Sequence, residues 1–183
     1  GERRVELDEE LGRAKLDKLG ELRPAFDAKG SVTAANASKI SDGAAALVIA
    51  SEGALTEHGL TPLARIVGYG QHAQAPEWFT TAPVFAIRNA LKRTGLRADD
   101  IDLFEINEAF AVVTMACSKK LDLDLAKVNV RGGAVALGHP IGASGCRVLV
   151  TLVHEMIRRD ARKGLATLCI GGGQGVALAI ARD

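Results

Sequence analysis

The sequence predicts an α/β fold: a mixed, mostly parallel five-stranded sheet covered by helices, preceded by the tail of a second, similar unit. Three observations carry this. From residue 61 onward, short apolar strand patterns alternate with amphipathic helical patterns in the order β-α-β-α-β-α-β-β. Such alternation builds parallel pairs, here until a final hairpin-like pair. Motifs rich in glycine or unusual polar residues follow three of the strands. The chain has 183 residues, 48% hydrophobic and 25% charged, enough for one good core and part of another domain.

Residues 1–30 mix charges of both signs with a few leucines and close on Leu22-Arg23-Pro24-Ala25-Phe26-Asp27. They are expected to form an exposed loop-region segment with little core of its own. The first residue is Gly1 rather than Met, which is read as a start inside a longer protein. Residues 31–60 are expected to end the preceding unit. Between Ser31 and Gly43, small and hydroxyl residues either let the backbone approach a ligand or, through Asn36 or Ser38, cap a short helix. The apolar run 44–50 reads as a buried strand, and 52–58 as a helix closed by Gly59.

The main domain is expected over 61–183. Residues 63–69 read as a strand. Pro83 opens a helix with Val84, Ile87 and Leu91 on one face, and Gly95 ends it. Residues 101–106 form the next strand, and 108–121 a helix with Phe110, Val113, Cys117 and Leu121 in a stripe. A strand at 128–130 feeds a glycine-dense turn. Leu149, Leu152, Val153 and Met156 then line a helix, followed by strands at 165–170 and 176–180.

Composition excludes several classes of partner. A net charge of +1 gives no electrostatic case for nucleic acid or an anionic membrane, and 4% aromatics leave little for base stacking. The first ten residues lack a signal-peptide layout, and no apolar run reaches membrane-spanning length, so a cytoplasmic setting is the default. Three cysteines without paired spacing argue against a disulfide framework and a thiolate zinc site, and no histidine shows metal-ligand spacing. No metal is expected.

Chemistry concentrates at three strand ends. In Gly138-His139-Pro140-Ile141-Gly142-Ala143-Ser144-Gly145 the turn presents a histidine, fixed by proline, at the mouth of a helix. Asn107-Glu108-Ala109-Phe110 follows the 101–106 strand, and Cys169-Ile170-Gly171-Gly172-Gly173 closes the 165–170 strand. Ligand sites in open α/β sheets gather outside the carboxyl ends of strands. Asn, His and Cys there would offer a hydrogen-bond anchor, a titrating ring and a thiol, beside unobstructed N–H groups at Gly171 and Gly172.

These three motifs, with Asn36-Ala37-Ser38 and Asp42-Gly43-Ala44-Ala45-Ala46, resemble the C-terminal half of the thiolase family, the acetyl-CoA acetyltransferases and 3-ketoacyl-CoA thiolases. The resemblance covers essentially the whole chain in the right order. It divides the chain into a loop-region remnant (1–30), the end of the thiolase N-terminal domain (31–60) and the C-terminal domain (61–183). It implies acyl transfer that makes or breaks the carbon–carbon bond of a 3-ketoacyl-CoA through an acyl-cysteine. Coenzyme A thioesters would be the substrates, with no metal or redox cofactor.

By the same resemblance, His139 would deprotonate the nucleophilic cysteine and later help hold the thioester oxygen of the second acyl-CoA. Asn107 would hold a water as the other donor. Cys169 would be the acid/base thiol at the α-carbon, and the N–H of Gly171 would donate to the second oxyanion. Ser38 would line the pantetheine channel, and Phe110 would pack near the acyl pocket. The family's nucleophile belongs to its N-terminal half, so an N-terminal half is the implied partner, and the chain alone is expected to be inactive. A homo-oligomer is implied too.

The other candidates are read more plainly. Cys117 is expected to be a small core residue, and Cys146 a small residue at a helix start with a lesser redox alternative. His58 suits a helix C-terminus, His154 a surface, and His72 an exposed position in the polar loop 70–77, with a part for that loop in shaping the acyl site as the alternative. Trp78-Phe79 is either a local core plug or part of a pocket rim or subunit contact. Glu105 and Glu108 read as ordinary carboxylates near a helix N-terminus, and Arg88, Lys92 and Arg93 as a solvated face. The rival reading is a non-catalytic CoA-binding or scaffold module, which has no use for a proton-transfer thiol. A β-ketoacyl synthase relative would share a similar fold, but the Cys169–Gly173 motif disfavours it.

Overall fold

A computed structural model describes residues 4–183, so the first three positions of the expected exposed segment lie outside the described residues. The remainder of that segment carries helix α1 (Glu9–Arg13), and most of its described side chains are exposed, in line with its mixed charge. Helix α2 (Glu52–His58) begins at Ser51, whose hydroxyl oxygen accepts the Ala54 N–H at 3.2 Å, and ends at Gly59 with φ 60°. Residues 44–50 depart from expectation. They form neither strand nor helix, and Val48 and Ile49 are 93% and 70% exposed. An apolar run is buried only where a second layer covers it, and among the described residues no strand pairs with it.

The main domain runs β1 (Arg65–Ala73), α3 (Ala82–Thr94), β2 (Leu103–Ile106), α4 (Ala111–Leu121), α5 (Ala134–Leu137), α6 (Ser144–Arg158), β3 (Lys163–Ile170) and β4 (Gln174–Ala181). The α/β class holds, with one mixed sheet between helices. Its strand order is β1-β4-β3-β2, with only β2 and β3 parallel. Among the described residues the expected five strands, mostly parallel, are thus four, with two antiparallel pairings out of three. β1 lies against the closing hairpin rather than beside β2, a long-range choice that no local apolar period encodes. The expected strand at 128–130 shrinks to isolated bridges, Val128 with Phe104 and Val130 with Gly132. Asn129 takes φ 46°, a left-handed conformation through which a strand does not continue.

Alternation along β2 sorts the two cores. Phe104 and Ile106 point to the face covered by α3 and α4, among Val84, Ile87, Val113 and Leu165. Leu103 points to the opposite face, against Val148, Leu152 and Met156 of α6. Period two therefore places Glu105 and Asn107 on the α6 side as well. On the other face α3 lies directly on β1, where a Cβ at Gly70 would stand 2.2 Å from the Ala86 carbonyl oxygen. Among the described residues no helix is long and apolar enough to cross a membrane.

Candidate active site

The carboxyl end of β2 is held by Asn129. Its carboxamide accepts the Ile106 N–H at 2.8 Å and donates to the Ile106 carbonyl at 2.9 Å and to Glu108 Oε1 at 3.0 Å. The other oxygen of Glu108 accepts the Val135 N–H at 3.1 Å, and its carboxylate fills the space a Cβ at Gly133 would need. Glu108 thus ties the end of β2 to the start of the histidine turn. It is not a carboxylate at the N-terminus of α4, which begins three residues later at Ala111.

Residues 36–40 lie across both motifs. The Ala111 N–H donates to the Asn36 carbonyl at 2.8 Å, and the Ser38 N–H and hydroxyl donate to the Ala109 carbonyl at 3.0 and 2.9 Å. The His139 N–H donates to the Lys39 carbonyl at 2.7 Å. Neither Asn36 nor Ser38 caps a helix: the Asn36 side chain instead closes a turn with Ser31 and Thr33. Phe110 is partly buried, and its ring meets Phe26 and Phe79 edge-on with centroids 6.0 and 6.2 Å away.

Two of the predicted residues touch. Asn107 Nδ2 lies 3.4 Å from His139 Nε2, and His139 Nδ1 lies 2.5 Å from Ser144 Oγ. The Ser144 hydroxyl gives its single hydrogen to the Pro140 carbonyl at 3.0 Å, so towards the imidazole it accepts. The proton of the neutral ring therefore sits on Nδ1, leaving the Nε2 lone pair facing the Asn107 amide. Burial, and next the Arg147 charge, lower the pKa of His139. The ring is a neutral base with its lone pair at the surface of the site.

Cys169 stands near the end of β3, parallel to β2, so its backbone shares the carboxyl end of the sheet with Asn107, whose N–H donates to the Thr167 carbonyl at 3.0 Å. Its thiol, however, packs in the core of the α3/α4 face, opposite the α6 face that Asn107 takes. Burial pushes the thiol up to about 11. Gly171 begins the exposed turn between β3 and β4. That turn is fixed from behind by Gln74, whose N–H donates to the Gly173 carbonyl at 2.9 Å. Gly173 has φ 90°, and a Cβ there would overlap the Gln74 carbonyl. Among the described residues no hydrogen bond joins Cys169 or Gly171 to the Asn107–His139 pair.

Beneath this pair lie Glu105, expected as an ordinary carboxylate near a helix N-terminus, and Arg147, for which the sequence alone assigns no role. Glu105 is 3% exposed and sits within edge strand β2, not at a helix end. Burial raises its carboxyl to about 7, a rise that Arg147 opposes only in part. Glu105 therefore holds a proton more tightly folded than unfolded. Its contribution to stability is complete below pH 4.5 and is lost as pH rises through about 7, a change of roughly 3 kcal/mol. His139 acts in the opposite sense, its contribution growing as pH rises towards the usual 6.5. In Glu105→Gln, urea midpoints should lose the decline between pH 4.5 and about 7 that the unsubstituted chain shows. Parallel profiles for the two proteins would reject the assignment. Both Glu105 and Arg147 had a signal in the sequence, since the alternation Leu103-Glu105-Asn107 puts a carboxylate on a buried face that needs a cation opposite it.

The remaining candidates divide. Cys117 is fully buried, its thiol raised to about 12 mainly by burial, and Cys146 lies half-buried in the first turn of α6. His72 belongs to β1, not a loop: it is half-buried, 4.5 Å from the Phe85 ring, and its Nε2 meets Gln74 Oε1 at 3.2 Å. Trp78 is 61% exposed whereas Phe79 packs against the core, so the pair is not one plug. His154 is exposed. Lys92 is solvated, while Arg88 donates to the Lys120 carbonyl and Arg93 covers the Tyr69 ring at 4.6 Å.

Comparison with known proteins decides the family. The family model described as "Thiolase, C-terminal domain" matches residues 60–182, and "Thiolase, N-terminal domain" matches residues 1–53. The chain belongs to the thiolase family. An acetyl-CoA acetyltransferase of Cupriavidus necator is 57% identical over 169 residues, covering 92% of this chain and 43% of its own length. The crystal structure of the Bacillus anthracis acetyl-CoA acetyltransferase superposes with a TM-score of 0.91 at 50% identity, over 99% of this chain and 47% of that one. Human mitochondrial 3-ketoacyl-CoA thiolase, solved in complex with CoA, gives 0.86 at 48% identity, over 93% of this chain and 43% of that one. The chain thus spans less than half the length of these thiolase relatives.

Proposed function

We propose that this chain supplies the His/Asn/Cys half of a thiolase active site, which makes or cleaves the carbon–carbon bond of a 3-ketoacyl-CoA. The observation that carries the reading is the contact between Asn107 and His139, whose ring is held from behind in the tautomer a base requires. In the proposed sequence, His139 Nε2 takes the thiol proton of a cysteine on the N-terminal half. The thiolate attacks an acyl-CoA thioester and expels CoA as its thiolate, leaving an acyl-cysteine. The expelled thiolate then takes the Cys169 proton and departs as CoA–SH, so that Cys169 is left as thiolate. The α-carbon of a second acetyl-CoA then loses its proton to Cys169 as thiolate. His139 Nε2–H and a water on Asn107 hold the enolate oxygen while its carbon attacks the acyl-cysteine. The acyl C–S bond breaks, 3-ketoacyl-CoA is released, and the freed cysteine thiolate takes back the proton from His139 Nε2. The N–H of Gly171 donates to the oxyanion on the acyl group, Ser38 borders the pantetheine arm, and Phe110 borders the acyl group.

Fixed polar groups of this kind are worth a few kcal/mol each at a transition state, about 3 for one oxyanion donor. The relatives' names favour short 3-ketoacyl-CoA substrates. The proposed chemistry asks for no metal or redox cofactor, and its setting is a cytoplasmic homo-oligomer. The experiment is acetoacetyl-CoA thiolysis by the purified chain, alone and then mixed with a separately expressed thiolase N-terminal half. No turnover alone with recovery on mixing is expected. Turnover by the chain alone would mean that Cys117, Cys146 or Cys169 is the acyl acceptor, and no recovery on mixing would favour the non-catalytic module.

A further inference from the structure

We propose that Arg147 is a positioning residue that sets which way the Asn107 carboxamide faces, so that one turn of α6 fixes both members of the Asn107–His139 pair. The proposal rests on the catalytic reading of that pair given above. Arg147 and Ser144 are three residues apart on α6, and side chains at that spacing share a helix face. Ser144 holds the His139 ring through Nδ1. Arg147 Nη2 donates to Asn107 Oδ1 at 3.4 Å, and Nη1 donates to Thr151 Oγ1 at 3.3 Å.

A carboxamide is symmetric enough to sit in either orientation, and its surroundings choose between them. A guanidinium has only donors, so the group beside it must be the amide oxygen. That leaves the NH2 facing His139 Nε2 and matches the lone pair there. With no cation on the oxygen, the amide can turn over and present Oδ1 to the ring. An oxygen beside Nε2 favours a proton on that nitrogen, the wrong tautomer for a base.

Arg147 is not placed there for its own hydrogen bonding. Its Nε is buried with no hydrogen-bond partner among the described residues, an arrangement that proteins seldom keep without a reason. Glu105 of β2 and Glu108 beyond it are the carboxylates that act on Arg147, and Glu105 lies on the same face of β2 as Asn107. Glu105, Arg147, Asn107 and His139 therefore lead from the buried α6 face of edge strand β2 to the surface of the site. The charge at Arg147 also opposes protonation of the imidazole. Glutamine at 147 would remove both the charge and the fork, whereas lysine would keep the charge and lose the fork.

The test has two readouts, one independent of turnover. The chain is labelled with 15N-histidine, and the ring nitrogens of His139 are followed against pH. The unsubstituted chain should show Nδ1 protonated and Nε2 bare. Arg147→Gln should mix the tautomers and move the midpoint up, while Arg147→Lys should mix the tautomers and leave the midpoint in place. After mixing with the N-terminal half, both variants should lose about 100-fold in kcat for thiolysis, the scale of a misplaced catalytic group, with KM little changed. Unaltered His139 nitrogen shifts in both variants, with only a lowered melting temperature, would overturn the proposal. Should Arg147→Gln fail to fold, Arg147→Lys carries the same decision. Altered shifts in a mixture that shows no thiolysis even without substitution would leave the positioning intact and refute the catalytic reading instead.

Discussion

Replacing Cys169 with alanine is expected to stop carbon–carbon bond formation while leaving acylation of the nucleophile on the N-terminal half nearly untouched. Cys169 is 8% exposed, and its thiol is raised to about 11, so it rests protonated at neutral pH. A protonated thiol is a poor nucleophile but carries a proton to deliver, and its conjugate thiolate is basic enough to remove one from carbon. Acid–base help of this kind is worth about 100-fold to 10,000-fold, and only the half-reaction that moves a proton at carbon should lose it. His139 is expected to behave differently, because its Nε2 serves as base in the first half-reaction and as donor in the second. His139→Ala should therefore slow both by a comparable factor. The two are separated by measuring acyl-enzyme formation by mass spectrometry after a brief exposure to acetyl-CoA, and condensation or thiolysis at steady state. If Cys169→Ala slows both equally, the thiol is not confined to the carbon-centred proton.

What could be read from the sequence follows from what is local. Helices α3 and α6 and the closing hairpin come straight from apolar period and turn chemistry, because each buries a face its own residues define. Direction and partners of strands are long-range, so the 63–69 pattern marks β1 as a strand but not its antiparallel place beside β4 at the sheet edge, and one left-handed residue, Asn129, is enough to undo the strand expected at 128–130. Val48 and Ile49 were misread because burial depends on what lies opposite, which an apolar run does not state. In the site, the Asn107–His139 contact was legible because each residue closes a strand or opens a turn on the same edge of the sheet. The supports were not. Glu105 looks like any acidic residue until its neighbours Leu103 and Asn107 are seen to share its face, and Ser144 reads as a helix start until its hydroxyl is found under an imidazole.

Gly138→Ala is expected to disable the site more thoroughly than any other change of comparable size in this turn. Gly138 has φ 90° and ψ 167°, a region that side chains with a Cβ avoid, at a cost on the order of 1–3 kcal/mol. A Cβ would also stand 2.5 Å from Ser41 Oγ and 2.9 Å from Ser41 Cβ. The strain has nowhere to go, because the Gly138 N–H is tied to the Ala134 carbonyl at 2.8 Å and the next N–H, that of His139, to the Lys39 carbonyl at 2.7 Å. Relief requires the turn to lift away from residues 39–41, and His139 moves with it. A displacement of about 1 Å at a catalytic group can cost about 100-fold in rate, so thiolysis by the mixed halves should fall by at least that factor while α3, α4 and the sheet persist in circular dichroism. Gly142→Ala is the control in the same turn: its φ is not left-handed, and a Cβ there meets nothing within 4 Å. It should leave rate and stability near their starting values. Ser41→Gly added to Gly138→Ala should recover only part of the loss, since it opens space but leaves the backbone angle forbidden. Full recovery would mean that contact alone, and not the backbone conformation, sets the position of His139.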